Sequence, residues 1–505
     1  MSFLEILTLI AHFSILGALV IFGLHRYRLV WLARHKDASV KAPSPSDADD
    51  LPNVTIQLPI YNERYVVERL IEHVCSLNYP CDKLHIQVLD DSTDDTSRIV
   101  SQAINKWQKR GFEIEHYSRT ERIGFKAGAL AAGLDDLDSD FVAIFDADFL
   151  PRPDFLHQTL PHFDHDDVGM VQARWQHINR TQSLLTRAQA VLLDGHFRVE
   201  HYARYKAGLF FNFNGTAGIW RRQCILSAGG WHHETITEDL DLSYRAQLAG
   251  WKFVYLDDVD TPAELPIDIN AFKTQQHRWA KGSIQVARKL LPQIFKSSIP
   301  ARIKLESAFH LCNNFAYVLL TAMAVLMPLS IRIRAEHQWH YFWFADLPVL
   351  TGATLSVFYF YFVSQKMRPV SPLKKVRDIM MALVVGIGLS VNNTRAVIEA
   401  CLGKRSAFVR TPKLAFTENE DAKGRIASAE SSYRGKIHYT SWVELSFALL
   451  YLHTLAFCIS DKIWSAIPFI GLLSSGYLYT AVLSMGQALR LRSQEEKPLA
   501  RQKPA

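Results

Sequence analysis

The distribution of hydrophobic positions divides the chain into two kinds of segment. Residues 37–300 mix apolar and charged positions, as soluble domains do. Six long apolar runs lie outside this region, at residues 3–25, 309–331, 343–363, 379–391, 442–460 and 463–485. Most of them are long enough to cross a hydrocarbon core of about 30 Å as a helix. The pattern therefore predicts a membrane protein with a large soluble domain inserted after its first span.

Strand-like and helix-like patterns alternate within the soluble region. The predicted strands are residues 54–58, 84–89, 113–117 and 141–145, and the predicted helices between them are 66–74, 97–107 and 124–137. Short connections between such elements favour right-handed crossovers and a mainly parallel sheet. No Gly-x-Gly-x-x-Gly follows the first strand, which argues against a dinucleotide-binding domain. The sequence therefore predicts an α/β domain with a Rossmann-like, mainly parallel sheet.

Polar residues follow three of these strands. They are Tyr61 and Glu63 after the first, Asp90 and Asp91 after the second, and Asp146 and Asp148 after the fourth. Ligands of open α/β sheets bind at the carboxyl ends of the strands, so these groups indicate a ligand site. Two carboxylates one residue apart can hold Mg²⁺ or Mn²⁺, which also bind substrate phosphates. Alone, however, an Asp-x-Asp at a strand end is more often a turn or a helix cap.

Two further stretches carry candidate chemistry. Lys126, near the start of a predicted helix, can meet a phosphate there, although a solvated surface lysine fits the sequence equally well. Thr237-Glu-Asp239 opens a helix predicted to run to Gly250, where Thr237 suits the N-cap and the acids suit the helix dipole. Asp239 can also face the crevice and act as a base that takes a proton from an attacking hydroxyl.

The ordered combination of these motifs resembles a known family. Asp90-Asp91, Asp146-x-Asp148, Thr237-Glu-Asp239 and Gln275-x-x-Arg278-Trp279 are similar to motifs of the processive, membrane-embedded glycosyltransferases of family 2, such as cellulose, hyaluronan and plant glucan and mannan synthases. The resemblance extends over about residues 53–485. It implies a GT-A fold, an inverting mechanism and Mg²⁺ or Mn²⁺ as cofactor.

The resemblance also implies roles for individual residues. The nucleotide sugar would bind Tyr61, Glu63, Asp90, Asp91, Lys126, Asp146 and Asp148, with the metal on Asp146 and Asp148 and with Asp239 as the catalytic base. The acceptor would bind Phe213, Asn214, Gly215, Glu238, Gln275, Arg278 and Trp279, and the indole of Trp279 would stack on a sugar. Asn214 departs from the family's Phe-Cys-Gly-Ser stretch. A gating-like loop would include Phe408, Thr411 and Lys413, although Arg410 departs from its pattern.

The membrane half is predicted to hold five spans and one interfacial helix. Residues 379–400 contain Asn392, Asn393 and Arg395, which are costly to bury in lipid. Placing this segment at the interface also keeps the basic loop after it in the cytosol, as the positive-inside rule favours. The predicted organisation is an anchor (1–36), a linker (37–52), the GT-A domain (53–262), interfacial helices with the Gln-x-x-Arg-Trp motif (263–308), a transmembrane hairpin (309–363), a basic region with the interfacial helix and the gating-like loop (364–440), a second hairpin (441–486) and a cytosolic tail (487–505).

Composition and charge narrow the function classes. The net charge of +6 reflects Lys and Arg in membrane flanks, and the soluble part has no basic stripe interleaved with aromatics, so no nucleic-acid partner is expected. The six cysteines have neither a Cys-x-x-Cys pair nor zinc spacing and are expected to be reduced core residues. We expect an integral protein of the bacterial inner membrane with its catalytic domain in the cytosol.

Three functions are compatible with these motifs. The first is transfer of a hexosyl unit, from UDP-glucose before GDP-mannose, to a growing β-linked polysaccharide, coupled to secretion. The second is transfer of one sugar to a lipid such as ceramide or diacylglycerol. The third is a non-catalytic polysaccharide channel. The expected partners are a nucleotide sugar, a glycan or lipid acceptor, membrane lipids, and a second copy of the chain or an export protein.

Overall fold

The soluble domain is built on one seven-stranded sheet. The computed structural model describes residues 1–34, 51–135, 137–339, 350–404, 413 and 438–500, with side chains as far as residue 492. The strands are β1 (Val54–Ile60), β2 (Leu84–Asp90), β3 (Glu113–Ser118), β4 (Phe141–Ile144), β5 (Val168–His177), β6 (Gly218–Arg221) and β7 (Lys252–Ala263), in the spatial order β3-β2-β1-β4-β6-β5-β7. Strand β6 runs antiparallel to β4 and β5, whereas the other pairs are parallel. The predicted α/β fold with a mainly parallel sheet is confirmed.

The central strands bury both faces. In β4, Phe141 and Ala143 belong to one apolar core, whereas Val142 and Ile144 belong to the other. Successive side chains of a strand point to opposite faces, so an almost continuous apolar run is the pattern of a strand covered on both sides. The α-helices of this region are Val67–Cys75, Thr96–Gln108, Phe125–Ala132, Phe155–Thr159, Leu184–Gly195, Tyr202–Lys206, Arg222–Ser227, Glu238–Leu248, Ile269–Lys296 and Ala301–Cys312.

The helix predicted over residues 124–137 is shorter in the structure. It spans Phe125–Ala132 and ends at Gly133, where a Cβ atom would lie 2.5 Å from Gln57 Nε2 and 2.8 Å from Gln87 Oε1. The two glutamines lie on β1 and β2 and hydrogen-bond to each other at 3.0 Å. Glycine thus allows the end of this helix to pack directly against the sheet.

Four helices of the described residues are long and apolar enough to cross a membrane. They are Phe3–Arg34, Phe315–Glu336, Tyr439–Ser460 and the apolar part of Ile467–Ala500. The predicted run 379–400 forms the helices Pro372–Gly388 and Ser390–Cys401, which are bent by 47° and would add a fifth span if they cross together. The predicted span 343–363 lies partly outside the described residues. Its second half is helical, as a π-helical turn Leu350–Leu355 and an α-helix Ser356–Ser364.

Polar residues in the bent helix pair contact the long helix Ile269–Lys296, which we call the QxxRW helix because it carries Gln275, Arg278 and Trp279. Asn392 Nδ2 donates a hydrogen bond of 2.9 Å to the Lys273 carbonyl, and Glu399 pairs with buried Lys281 at 2.9 Å. These contacts satisfy groups that lipid would leave unpaired. The polar residues that interrupt the apolar run therefore lie on a surface that faces protein.

The six cysteines are unpaired thiols. Cys75, Cys224 and Cys458 are buried, as expected of core residues. Cys81 and Cys401 are exposed, so for them the expectation of a core position is wrong. Cys81 begins a short 3₁₀ turn before β2, and Cys401 ends a helix. Both thus lie at element ends, where side chains reach the surface.

Gly282 sets the distance between the QxxRW helix and the helix that carries Asp239. A Cβ atom at Gly282 would lie 2.4 Å from Thr237 Cγ2, immediately before the helix Glu238–Leu248. We expect Gly282→Ala to lower the free energy of unfolding by about 1–3 kcal/mol, because the added methyl group has to push the two helices apart. The measurement is thermal unfolding of the purified protein in detergent. Gly386→Ala is the matched control, because a Cβ atom there meets nothing within 4 Å; an equal loss in both variants would contradict this account.

Candidate active site

A cavity of about 940 Å³ lies at the carboxyl ends of β1, β2 and β4 and reaches the membrane-side helices. Most of the predicted site residues line it: Tyr61, Glu63, Asp91, Lys126, Asp146, Asp148, Asn214, Gly215, Glu238, Asp239, Gln275, Arg278, Trp279 and Lys413. Phe408 and Thr411 of the gating-like loop lie outside the described residues. Segments far apart in the sequence thus meet around one space.

Lys126 lies at the centre of the acidic groups. Its ammonium donates to Asp146 Oδ1 at 2.5 Å and to the Gly215 carbonyl at 2.7 Å. A Cβ atom at Gly215 would lie 3.0 Å from Asp239 Oδ2 and 3.5 Å from Lys126 Nζ. Gly215 also has a φ of +81°, a left-handed conformation that favours glycine. The lysine, two aspartates from separate segments and a glycine therefore form one compact cluster.

Burial and charge in this cluster raise the pKa values of Lys126, Glu238 and Asp239. Burial lowers the pKa of Lys126, but the negative charges of Asp146, Glu238 and Asp239 outweigh it and raise that pKa above its ordinary value. Burial and then the charge of Glu238 raise the pKa of Asp239 to about 7, against the opposing charge of Lys126. Burial also raises the pKa of Glu238. Asp239 is thus poised to exchange protons near neutral pH, as a general base should be.

Asp146 and Asp148 supply two of the oxygen ligands that a divalent cation requires. Within the part of the chain that the structure describes, no three His, Cys, Asp or Glu side chains form a metal-binding group. Mg²⁺ is commonly held by one or two carboxylates together with substrate phosphates, so the two aspartates fit a cation that arrives with a diphosphate. In the structure Asp146 contacts Lys126, and Asp148 contacts Lys413. A cation would therefore share these carboxylates with the two lysines.

One wall of the cavity combines the ring of Tyr61 with the guanidinium of Arg122, and Arg119 lies behind this wall on Asp91. The Arg122 guanidinium lies 3.3 Å from the centre of the Tyr61 ring. Asp91 accepts hydrogen bonds from Arg119 at 2.9 and 2.5 Å, and its carboxylate lies 3.8 Å from Arg122. The sequence analysis missed both arginines, although they follow β3 and the strand-end rule would have found them. A flat cation over a ring is a surface on which a nucleobase can stack.

Two predicted site residues do not line the cavity. Asp90 is 1% exposed, and its carboxylate accepts hydrogen bonds from Ser92 N at 2.9 Å and His116 Nε2 at 3.0 Å. Phe213 is fully buried, with its ring centre 5.5 Å from that of Trp220. Side chains alternate along an extended chain, so Asp90 and Asp91 face opposite sides, as do Phe213 and Asn214. The predicted roles of Asp90 and Phe213 in binding are therefore corrected. Their neighbours Asp91 and Asn214 are the residues that face the cavity.

The QxxRW helix supplies the opposite wall. Gln275, Arg278 and Trp279 are spaced by three and four residues, which places them on one helical face. The Trp279 ring centre lies 6.4 Å from that of Trp175, a cavity-lining residue of β5 that the sequence analysis missed. Asn214 Oδ1 lies 2.9 Å from His196 Nε2, and no sequence motif pointed to His196 as a site residue. Aromatic faces beside amide and guanidinium donors suit the binding of sugars.

The chain is similar in sequence to known glycosyltransferases. Residues 52–282 match the family model described as "Glycosyltransferase like family 2". The chain is 44% identical over 283 residues to glucomannan 4-beta-mannosyltransferase 1 of Oryza sativa subsp. japonica, covering 54% of each chain. It is 43% identical over 290 residues to glucomannan 4-beta-mannosyltransferase 2 of Arabidopsis thaliana, covering 56% of this chain and 54% of that one. The chain therefore spans about half the length of the curated relatives it matches.

Two solved structures are also similar to this chain. The mannosyltransferase PcManGT from Pyrobaculum calidifontis, in complex with GDP-Man and Mn²⁺, has a TM-score of 0.49 and 20% identity and covers 75% of this chain and 98% of that one. S. aureus TarS 1-349 in complex with UDP has a TM-score of 0.39 and 16% identity, with coverages of 73% and 98%. From the match of the family model, residues 52–282 are a glycosyltransferase domain of family 2, and the family identified from the motifs is confirmed.

Proposed function

We propose that this protein is an inverting mannosyltransferase that extends a β-linked polysaccharide at the membrane. The observation that carries the proposal is the convergence of Asp239, Lys126 and the QxxRW helix on one cavity. The names of the relatives favour a mannosyl unit, as in a mannan or glucomannan. The donor order expected from the sequence is therefore corrected, because these relatives give no support to UDP-glucose. We propose GDP-mannose as the donor.

The membrane location of the protein is also proposed from its helices and its relatives. The apolar helices support integration into a membrane. The expected bacterial inner membrane finds no support in the relatives, which are from rice and Arabidopsis. We therefore propose an integral membrane enzyme and assign no particular membrane. Assembly with a second copy or an export partner stays a prediction of the sequence.

The chemistry follows from the positions of the side chains. Asp239 takes the proton of an acceptor hydroxyl as its oxygen forms a bond to the anomeric carbon of the donor sugar. The bond from that carbon to the diphosphate oxygen breaks, and the nucleoside diphosphate leaves with the electron pair. Lys126 lies where its positive charge stabilises the departing diphosphate. Asp146 and Asp148 would hold Mg²⁺ or Mn²⁺, which supplies further positive charge at that diphosphate.

The shape of the cavity favours a long acceptor. Its lining continues beyond Trp279 to polar residues on the membrane side, including Asn392, Thr440 and Gln487. Amide and hydroxyl groups offer hydrogen bonds to successive sugars, whereas the tails of a lipid acceptor would need an apolar path. This lining supports a polysaccharide product over a glycolipid. The acidic cluster around Lys126 likewise supports an enzyme over a non-catalytic channel.

Arg122 supports a guanine-containing donor. An arginine can donate two hydrogen bonds to O6 and N7 of guanine, whereas uracil has no such pair of acceptors. The guanidinium of Arg122 lies on the cavity wall between the Tyr61 ring and the Asp91 carboxylate. The guanidinium therefore offers donors for O6 and N7 of guanine, and the Asp91 carboxylate beside it offers an acceptor for the amino hydrogens.

Transfer assays test the proposed function directly. We expect the purified protein to convert labelled GDP-mannose, but not UDP-glucose, into a polymer that β-mannanase digests. Asp239→Asn should lower kcat at least about 100-fold, because the base is lost, while GDP-mannose affinity measured by calorimetry stays unchanged. Asp154→Asn, at an exposed position, is the control. A discrete glycolipid product, or full activity of Asp239→Asn, would overturn the proposal.

We expect substitutions of the neighbouring aspartates Asp90 and Asp91, at the end of β2, to have different effects on binding and stability. We expect Asp91→Ala to weaken GDP binding about tenfold or more, because the cavity loses a carboxylate and Arg119 loses its carboxylate partner. Asp90→Ala should leave GDP affinity unchanged but destabilise the fold by about 1–3 kcal/mol, because buried donors lose their acceptor. Calorimetric binding and thermal unfolding measure the two effects. Equal losses of affinity in both variants would show that Asp90 also reaches the nucleotide.

The raised pKa of Asp239 predicts a pH dependence. A base works when ionised, so kcat should be constant above about pH 7 and fall tenfold per unit below it, since the pKa of Asp239 is raised to about 7. Glu238→Gln removes the neighbouring negative charge, which lowers the pKa of Asp239 and moves this acid limb to lower pH. Glu113→Gln, on a side chain that is 65% exposed, is the control and should not move it. An unchanged limb in Glu238→Gln would exclude Asp239 as the titrating group.

A further inference from the structure

A chain of buried and half-buried polar residues links the first membrane helix to the cavity. It begins at Glu306 in the helix Ala301–Cys312. The Glu306 side chain is fully buried and faces two arginines and a histidine. Glu306 contacts Arg28, lies 3.0 Å from His25 Nε2 and accepts a hydrogen bond of 3.1 Å from Arg204 Nε. Since His25 and Arg28 belong to the helix Phe3–Arg34, this carboxylate joins the membrane anchor to the soluble domain.

The chain continues along one face of a single helical stretch. Arg204 Nη1 lies 3.6 Å from Glu200 Oε2, and the same oxygen lies 3.2 Å from His196 Nδ1. Burial raises the pKa of Glu200, but the hydrogen bond with His196 and the charge of Arg204 lower it to about 2. Glu200 therefore stays ionised at physiological pH and holds the imidazole by its Nδ1 side.

The last step reaches the cavity. His196 Nε2 lies 2.9 Å from Asn214 Oδ1, and the Asn214 backbone N–H donates to Gln172 Oε1 at 2.9 Å. Asn214 lines the cavity beside Gly215, whose Cα in turn faces the Asp239 carboxylate. The imidazole of His196, whose other nitrogen is held by Glu200, thus contacts the Asn214 amide oxygen, which also accepts a hydrogen bond of 3.3 Å from Asn212 Nδ2. The Asn214 amide nitrogen lies 2.9 Å from His201 Nε2.

The backbone at this point is unusual. Residues His196–His201 form a π-helical segment between the α-helices Leu184–Gly195 and Tyr202–Lys206. Such segments are rare and occur often at functional sites, because the extra residue per turn changes the direction of the side chains. Here the segment begins at His196 and contains Glu200, the two residues that support Asn214.

We propose that His196 is a positioning residue that holds the Asn214 amide against the acceptor sugar, with Glu200, Arg204 and Glu306 tying it to the membrane anchor. The inference rests on the proposed function, because it requires a sugar acceptor beside Asp239. It assigns a task to Asn214, the residue at which this chain departs from the pattern of the family it resembles. The donor side of the cavity does not depend on this chain of contacts.

Two substitutions of His196 separate positioning from packing. Glutamine places its side-chain amide near the position of Nε2 and so keeps the contact with Asn214, whereas asparagine places its amide near Nδ1 and keeps only the contact with Glu200. We expect His196→Asn to raise KM for a mannan oligosaccharide acceptor about five- to tenfold, the effect of one lost hydrogen bond. KM for GDP-mannose should stay unchanged. His196→Gln should keep both constants within about twofold of the wild-type values.

The same pair of substitutions at His165, which is 78% exposed, serves as the matched control and should change neither constant. Glu200→Gln adds a test of the chain itself. It should change KM for the acceptor by no more than about twofold, as His196→Gln does, and add nothing to His196→Gln, whose amide no longer reaches Glu200. Melting temperatures confirm that each variant is folded before its kinetics are compared.

Each outcome of these KM measurements either supports or overturns the positioning role of His196. Equal changes of acceptor KM in His196→Asn and His196→Gln, or a change confined to the donor KM, would overturn the positioning role while transfer by the wild-type protein upholds the proposed function. If the wild-type protein transfers no mannosyl unit to any glycan, the proposed function fails and this inference fails with it. A rise of acceptor KM in His196→Asn alone supports both.

Discussion

The attraction between the Lys126 ammonium and the carboxylates around it is the interaction on which the site depends. Asp146, Glu238 and Asp239 all act on this one ammonium. Two like charges 4 Å apart repel by about 4 kcal/mol at an effective dielectric constant of 20, and a cation between such carboxylates offsets this repulsion. The lysine therefore draws the loop after β4, the helix Glu238–Leu248 and the strand-like stretch before β6 to the same point.

Close convergence also requires small residues. Gly215 leaves room for Asp239 and Lys126, and Gly282 leaves room for Thr237 beneath the QxxRW helix. A side chain at either position would meet atoms of the catalytic cluster or of its supporting helix. Burial in this crowded space also raises the pKa of Asp239, even though the residue sits in the first turn of a helix, where the dipole favours a negative charge. Here the effect of removing the Asp239 carboxylate from water on its pKa outweighs the effect of the helix dipole.

The sequence predicted the first half of the domain better than the second. Strands β1, β2 and β4 are short, mainly apolar runs next to amphipathic helices, and this signal is local. Strand β6 has four residues, and β7 mixes buried and exposed positions without regular alternation, so neither is visible without its neighbours. In the site, the strand-end rule found Asp91, Asp146 and Asp148. His196 and Trp175 were missed because their roles depend on packing between segments far apart in the sequence.

The membrane helices form part of the site rather than only its support. Lys273 of the QxxRW helix is buried against Glu444 at 2.7 Å, and Asn270 donates to Gln487 at 2.8 Å. Removing one partner of a buried ion pair costs about 3–5 kcal/mol, so these contacts fix the helix relative to the spans Tyr439–Ser460 and Ile467–Ala500. Gln275, Arg278 and Trp279 lie on the same helix, one to two turns from Lys273. The cavity wall that the QxxRW helix supplies therefore takes its position from the membrane half of the chain. In residues 52–282 alone, this wall would have no fixed position opposite the strand ends.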